Sequence, residues 1–134
     1  MIALSTWNID EGEGRISFEI PDEYTEFDVI VEPVLTLEHS EYARDTLNED
    51  REYIENVGLN ETSINGQPAT MAQYNASSSC VLNCPPMTLT YFMVTDDYTG
   101  YRLFYEPDFR DKNWNSSERL STIERMASSF RITK

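Results

Sequence analysis

A chain of 134 residues is one domain's worth, and its 40% apolar fraction, with eight tyrosines, six phenylalanines and two tryptophans, is that of a protein with a single buried core. Its net charge of −14, set by 24 acidic residues against ten basic ones of which two are lysines, excludes nucleic acid and anionic membrane as partners, since both need clustered Lys and Arg. No stretch approaches the ~20 apolar residues of a membrane span, and Met1-Ile-Ala-Leu-Ser lacks the basic start and apolar run of a signal peptide.

Residues 1–14 are acidic and punctuated by Gly12 and Gly14, and they read as a flexible lead-in to one domain spanning 1–134. Ile16, Phe18 and Ile20 then alternate with polar residues as a half-buried strand that Pro21 ends, and a second strand runs from Phe27 to Glu32 and stops at Pro33. From Ser40 to Val57 there is neither Gly nor Pro, and Gly58 sits where a helix C-cap belongs, so the pattern predicts one long helix. Its apolar arc holds Ala43, Leu47, Ile54 and Val57, with Asp50 projecting from the middle of that arc.

Asn65-Gly66 is the strongest short hairpin signal in the chain, because both residue types tolerate the positive φ of a type I′ turn. A short strand enters through it, and strands follow at Pro68 to Ser77, Met87 to Thr95 and Tyr101 to Tyr105. The run Met87 to Thr95 carries large side chains on both alternating sets, which predicts a central strand covered on both faces. After a connector ending near Trp114, a second helix spans Ser116 to Ser129, with Asn115 and Glu118 as a capping box and Leu120, Ile123, Ala127 and Phe130 as its apolar stripe. Phe130 to Ile132 is either the end of that helix or a final edge strand. The expected fold class is α+β: an antiparallel sheet of about six strands flanked by helices, which lie on its opposite faces.

Cys80 and Cys84 lie four apart around a chain reversal, a spacing that closes a small disulfide loop and favours a chain that works outside the cytoplasm. The triplets at Asn60, Asn75 and Asn115 are glycosylation acceptors if the chain is exported. His39 is the sole histidine, expected on the surface beside the long helix, so neither a Ser-His-Asp triad without it nor a four-ligand zinc set can be built, and no glycine-rich phosphate loop is present. No catalytic residue, cofactor or metal is expected. Asp50, Asp96 and Asp97 are the weakest candidates for chemistry, with Asp96-Asp97 read first as a solvated hairpin tip. Tyr74, Tyr91, Tyr101, Phe104 and Tyr105 form a candidate binding face if they share one exposed side of the sheet.

Ile16-Ser-Phe-Glu-Ile-Pro-Asp-Glu-Tyr24 looks like the strand, proline, aromatic opening of PsbP-like domains. A helix, the Asn65-Gly-Gln-Pro-Ala69 hairpin, the late strand Tyr101 to Tyr105 and a terminal helix running into Ser128-Ser-Phe-Arg-Ile132 follow in that family's order. The resemblance implies an α/β/α sandwich with a non-enzymatic accessory or binding role outside the cytoplasm, tethered to a membrane, if at all, through a segment beyond this one. The metal-binding histidines of some photosynthetic members have no counterpart in this sequence. An intracellular acidic adaptor or chaperone for a basic protein partner is the alternative that the charge supports directly.

Overall fold

The computed structural model describes residues 8–19 and 25–132; the expectations placed on Met1, Ile20, Pro21 and Tyr24 lie outside these. The elements run β1 Asn8–Gly12, β2 Arg15–Glu19, β3 Glu26–Pro33, α1 His39–Glu49, β4 Ile54–Ile64, β5 Gln67–Ala76, β6 Thr88–Val94, β7 Thr99–Glu106 and α2 Ser117–Ser128. The strands form one sheet in the order β1-β2-β3-β7-β6-β5-β4, and every neighbouring pair is antiparallel. The fold is α+β, with the six expected strands present and a seventh, β1, added at one edge.

That seventh strand corrects the flexible lead-in over residues 8–12. Gly14 adopts φ +68°, which lets the chain reverse between β1 and β2, and its carbonyl accepts from the Val31 amide of β3 at 2.8 Å. The hairpin is therefore tied to the strand beyond it.

The two faces of the sheet hold separate cores because successive side chains of a strand point to opposite sides. On one face, Phe27, Val29, Met93, Leu103 and Tyr105 are buried beneath Ile123, Met126 and Ala127 of α2. On the other, Ala72, Tyr74, Phe92 and Val94 are buried with Tyr42, Ala43 and Leu47 of α1, and the Tyr42 ring meets Phe92 edge-on with centroids 5.1 Å apart. The helices thus lie on opposite faces, as the doubly apolar β6 demands. β6 itself is interior, and β7 occupies the middle place in the sheet.

The expected long helix stops early. α1 ends at Glu49, where the Asp50 amide bonds the Leu47 carbonyl at 3.1 Å, and the Tyr53 amide then bonds the Asp50 carbonyl at 2.8 Å as the chain turns. Ile54 and Val57 belong to β4, so they are not helix positions, and Gly58 sits beside a bulge in that strand where it caps nothing. The absence of Gly and Pro does not carry the helix onward: Tyr53, Ile54 and Val57 favour a strand, and a ladder to β5 that spans most of β4 adds a non-local gain.

The Asn65-Gly66 turn is as expected, with φ of 49° and 82° and Ile64 paired to Gln67. The Asn65 side-chain Nδ2 also donates to the carbonyls of Ser128 and Phe130 at 2.8 and 2.7 Å, satisfying acceptors left open at the end of α2. At the other end of α2 the cap is Ser116, whose hydroxyl accepts from the Arg119 amide at 3.1 Å, one residue later than the expected Asn115 and Glu118 box. Residues 130–132 form no strand.

Candidate functional site

α1 packs mainly on β5 and β6, so the same face of β2, β3 and β7 presents its own side chains. The register places Glu19 opposite Glu26 and Glu26 opposite Glu106, a row of three glutamates across three neighbouring strands. Strands sit about 4.8 Å apart, and like charges directly opposite one another are destabilising. One row further along, Ser17, Asp28, Phe104 and Thr90 follow in register, and the next holds Arg15, Ile30, Arg102 and Phe92.

Asp28 lies at the centre of this patch with no exposed surface. Its Oδ2 accepts from the Arg15 guanidinium at 2.9 Å, and the same guanidinium reaches Glu26 at 3.2 Å. The other oxygen of Asp28, the hydroxyl of Thr90 and Nε of Arg102 are buried side-chain atoms without a hydrogen-bond partner among the described residues, and all three surround Phe104. The Arg102 guanidinium lies over the Phe104 ring at 4.7 Å and near Phe92 at 5.6 Å, a contact that stabilises the cation but gives its Nε no acceptor. Burial, followed by the charge of Asp28 and opposed by Arg15, holds the Glu26 carboxyl above the ordinary range. Burial also raises Glu106, with Arg102 opposing and Asp28 adding to the rise. Two carboxyls raised for the same reasons flank a third that is fully enclosed.

The aromatic residues proposed as one binding face are divided by the strand period. Tyr74 and Phe104 lie on the α1 side, both nearly enclosed, whereas Tyr91, Tyr101 and Tyr105 lie on the α2 side. Tyr105 is fully buried and donates to the Trp114 carbonyl at 2.9 Å, and the Tyr101 ring packs at a tilt against Phe130 with centroids 6.0 Å apart. These five residues do not share an exposed surface. Asp50 caps the end of α1 in solvent, outside the apolar arc where the sequence placed it. Asp96 and Asp97 stand in the β6–β7 turn, where the Thr95 hydroxyl donates to Asp97 and lowers its carboxyl. His39 opens α1 and bonds the Thr70 hydroxyl through Nδ1 at 2.6 Å, so it is half-buried and partnered. Among the described residues no group of three His, Cys, Asp or Glu side chains is placed to hold a metal ion. Cys80 and Cys84 are joined in a disulfide with Cα atoms 6.0 Å apart.

The architecture is similar to the solution structure of cyanobacterial PsbP (CyanoP) from Synechocystis sp. PCC 6803, with a TM-score of 0.62 over 96% of this chain and 83% of that one. This chain has a PsbP-like fold. Sequence identity is 11%, so the likeness concerns the backbone and not the site. No family model and no curated protein matches the sequence.

The glutamate row and Asp28 were absent from the sequence-derived candidates. Each glutamate stands near the end of its strand and looks like ordinary surface charge; only the pairing of β2, β3 and β7 sets the three side by side. Asp28, between Phe27 and Val29, was the available signal: an acidic residue at an interior position of an apolar strand.

Proposed function

We propose that this chain is a non-enzymatic accessory domain acting outside the cytoplasm, where it binds a basic segment of a protein partner. The observation that carries the reading is the row Glu19, Glu26 and Glu106 beside the enclosed Asp28, because a fold retains adjacent like charges at a cost in stability. Lysines or arginines laid across the row would relieve that repulsion. The glutamates are spaced one to a strand, which suits an extended basic segment better than a single ion. The carboxylate of Asp28 is held by Arg15, an arrangement that supports binding over proton transfer. The closed Cys80–Cys84 bond supports the compartment, since disulfides persist where the surroundings are oxidising. The PsbP-like architecture is compatible with an accessory role.

Capture of partners from native extract by the wild-type chain and by the E26Q/E106Q double variant tests this reading. A protein partner should be held at low salt, released towards ~1 M salt where screening shortens to about 3 Å, and lost from the variant. A partner held equally well by the variant, or turnover of a small substrate by the wild-type chain, refutes it. Two freely alkylated thiols in protein taken from its native compartment would overturn the location outside the cytoplasm.

A further inference from the structure

Away from the glutamate row, on the β4 side of α1, a trough of about 280 Å³ lies between the helix and the sheet. Its floor is apolar, formed by Leu47, Ile54, Val57 and Leu59, and Val57 and Leu59 are 45% and 39% exposed. Arg44 lines it from α1 and Arg51 from the turn that follows the helix, where its guanidinium reaches the Asn48 side-chain oxygen at 3.5 Å. Helical residues advance by about 100° each, so Arg44, Leu47 and Asn48 of α1 share one stripe, from which Asp45 and Glu49 turn away, and Arg51 joins them from the turn beyond the helix end. Two of the chain's ten basic residues therefore converge on one apolar depression in a molecule of net charge −14. Any anion that binds this protein has to be drawn by such a local pair, because the surface as a whole repels it.

The strand beside the trough adds a second feature. β4 is the last strand of the sheet, paired on one side with β5, and its residues Glu55 to Ser63 are all exposed. Its outer edge carries backbone donors and acceptors able to receive another extended chain. The ladder is interrupted between Glu55 and Gly58, with Asn56 at φ 56°, close to where Ile54 and Val57 enter the trough.

We propose that this trough and the adjoining edge of β4 bind the carboxyl terminus of an extended peptide ending in an aliphatic residue. The terminal side chain occupies the apolar floor, the carboxylate meets the guanidinium groups of Arg44 and Arg51, and the preceding backbone pairs with β4. The volume lies just under the roughly 300–1,000 Å³ of pockets for drug-sized ligands, which suits one aliphatic side chain better than a bulky molecule. A free alkyl carboxylate would leave one side of its chain in water, since the trough is open, and would leave the β4 edge unused. Charge-assisted pairing to arginine supplies orientation as well as affinity. The site is separate from the glutamate row, and the inference stands or falls independently of it.

The experiment is a fluorescence polarisation titration of the whole chain with fluorescein-Gly-Ser-Thr-Val-Thr-Leu bearing a free carboxylate. Saturable binding is expected, weakened at least tenfold when the same peptide ends in a carboxamide and weakened several-fold by R44Q and by R51Q. Both arginines stand at the surface, so these variants should keep the wild-type thermal midpoint, and the E26Q/E106Q variant should bind the peptide as wild type does. Octanoate should compete poorly. Equal binding of acid and amide peptides, retained affinity in both arginine variants, loss of affinity in E26Q/E106Q, octanoate binding as tight as the peptide, or no saturation by about 1 mM peptide would each overturn the proposal.

Discussion

Asp111 anchors the connector that follows β7. Fully enclosed, it accepts from the Thr25 hydroxyl at 2.6 Å and from the Asn113 amide at 2.9 Å, and it pairs with Arg119 of α2. One carboxylate thereby ties the start of β3, the connector and the last helix together. Replacing Asp111 by Ala leaves a guanidinium that is 11% exposed without its countercharge, and chemical denaturation should report a loss of about 3–5 kcal/mol. The glutamates of the candidate site behave differently. Glu26 and Glu106 have folded-state pKa values above their unfolded ones, so the folded chain holds those protons more tightly. Their contribution to stability is present below the ordinary glutamate pKa and is lost as pH rises through the raised values. Both side chains retain contact with solvent, which reduces the effect. Thermal midpoints should still be higher just above the ordinary glutamate pKa than at about pH 7.5, beyond the raised values. That difference should shrink in E26Q/E106Q. Asp97 and Asp108, both lowered chiefly by side-chain hydrogen bonds, have the opposite sign and favour unfolding only on further acidification.

At the scale of elements, the seat of α1 on the sheet depends on the absence of a side chain at Gly100. A Cβ there would stand 2.6 Å from Cγ1 of Val34 and 2.9 Å from Cε2 of Tyr42. The Tyr42 hydroxyl donates to Glu32 at 2.7 Å, so the ring is not free to swing aside without breaking that bond. Gly100→Ala should therefore cost about 1–3 kcal/mol by overpacking, read as a lower urea midpoint with an unchanged slope. The β4–β5 turn offers a second test. Asn65 supplies both a left-handed backbone and two bonds to the end of α2. Asn65→Gly retains the turn and loses the side-chain bonds, whereas Asn65→Val loses both. Hydrogen exchange should find the last turn of α2 less protected in the first variant, and the β4–β5 ladder less protected as well in the second.

For the molecule as a whole, the disulfide is a local staple. Cys80 and Cys84 enclose Val81 and Leu82, which are 91% and 77% exposed and contribute nothing to either core. Loop-closure entropy for so short a ring is worth about 2 kcal/mol, so a Cys80→Ser/Cys84→Ser variant should lower stability by about that amount and leave the sheet intact by circular dichroism. Much of this architecture was legible in the sequence. The alternating sets of β6, the Asn65-Gly66 turn and the stripe of α2 depend on short-range periodicity and backbone preference, which the chain carries wherever it is placed. From these came an α+β fold with a helix on each face. The rest depended on partners distant in sequence. The segment from Ile54 to Val57 lacks the Gly or Pro that would end a helix, yet two of its four residues are β-branched, and it is a strand because β5 lies beside it. Residues 8–12 read as loop until β2 pairs with them. The condition that five aromatic residues share one exposed side is not met because alternate residues of a strand face opposite ways, and the register assigned Tyr74 and Phe104 to one layer and Tyr91, Tyr101 and Tyr105 to the other. The glutamate row is the clearest case. Composition announced a strongly acidic chain, but charge in a sequence has no position. Only the pairing of β2, β3 and β7 brought Glu19, Glu26 and Glu106 within interaction distance beside Asp28, and at that distance repulsion and burial change what a carboxyl group does.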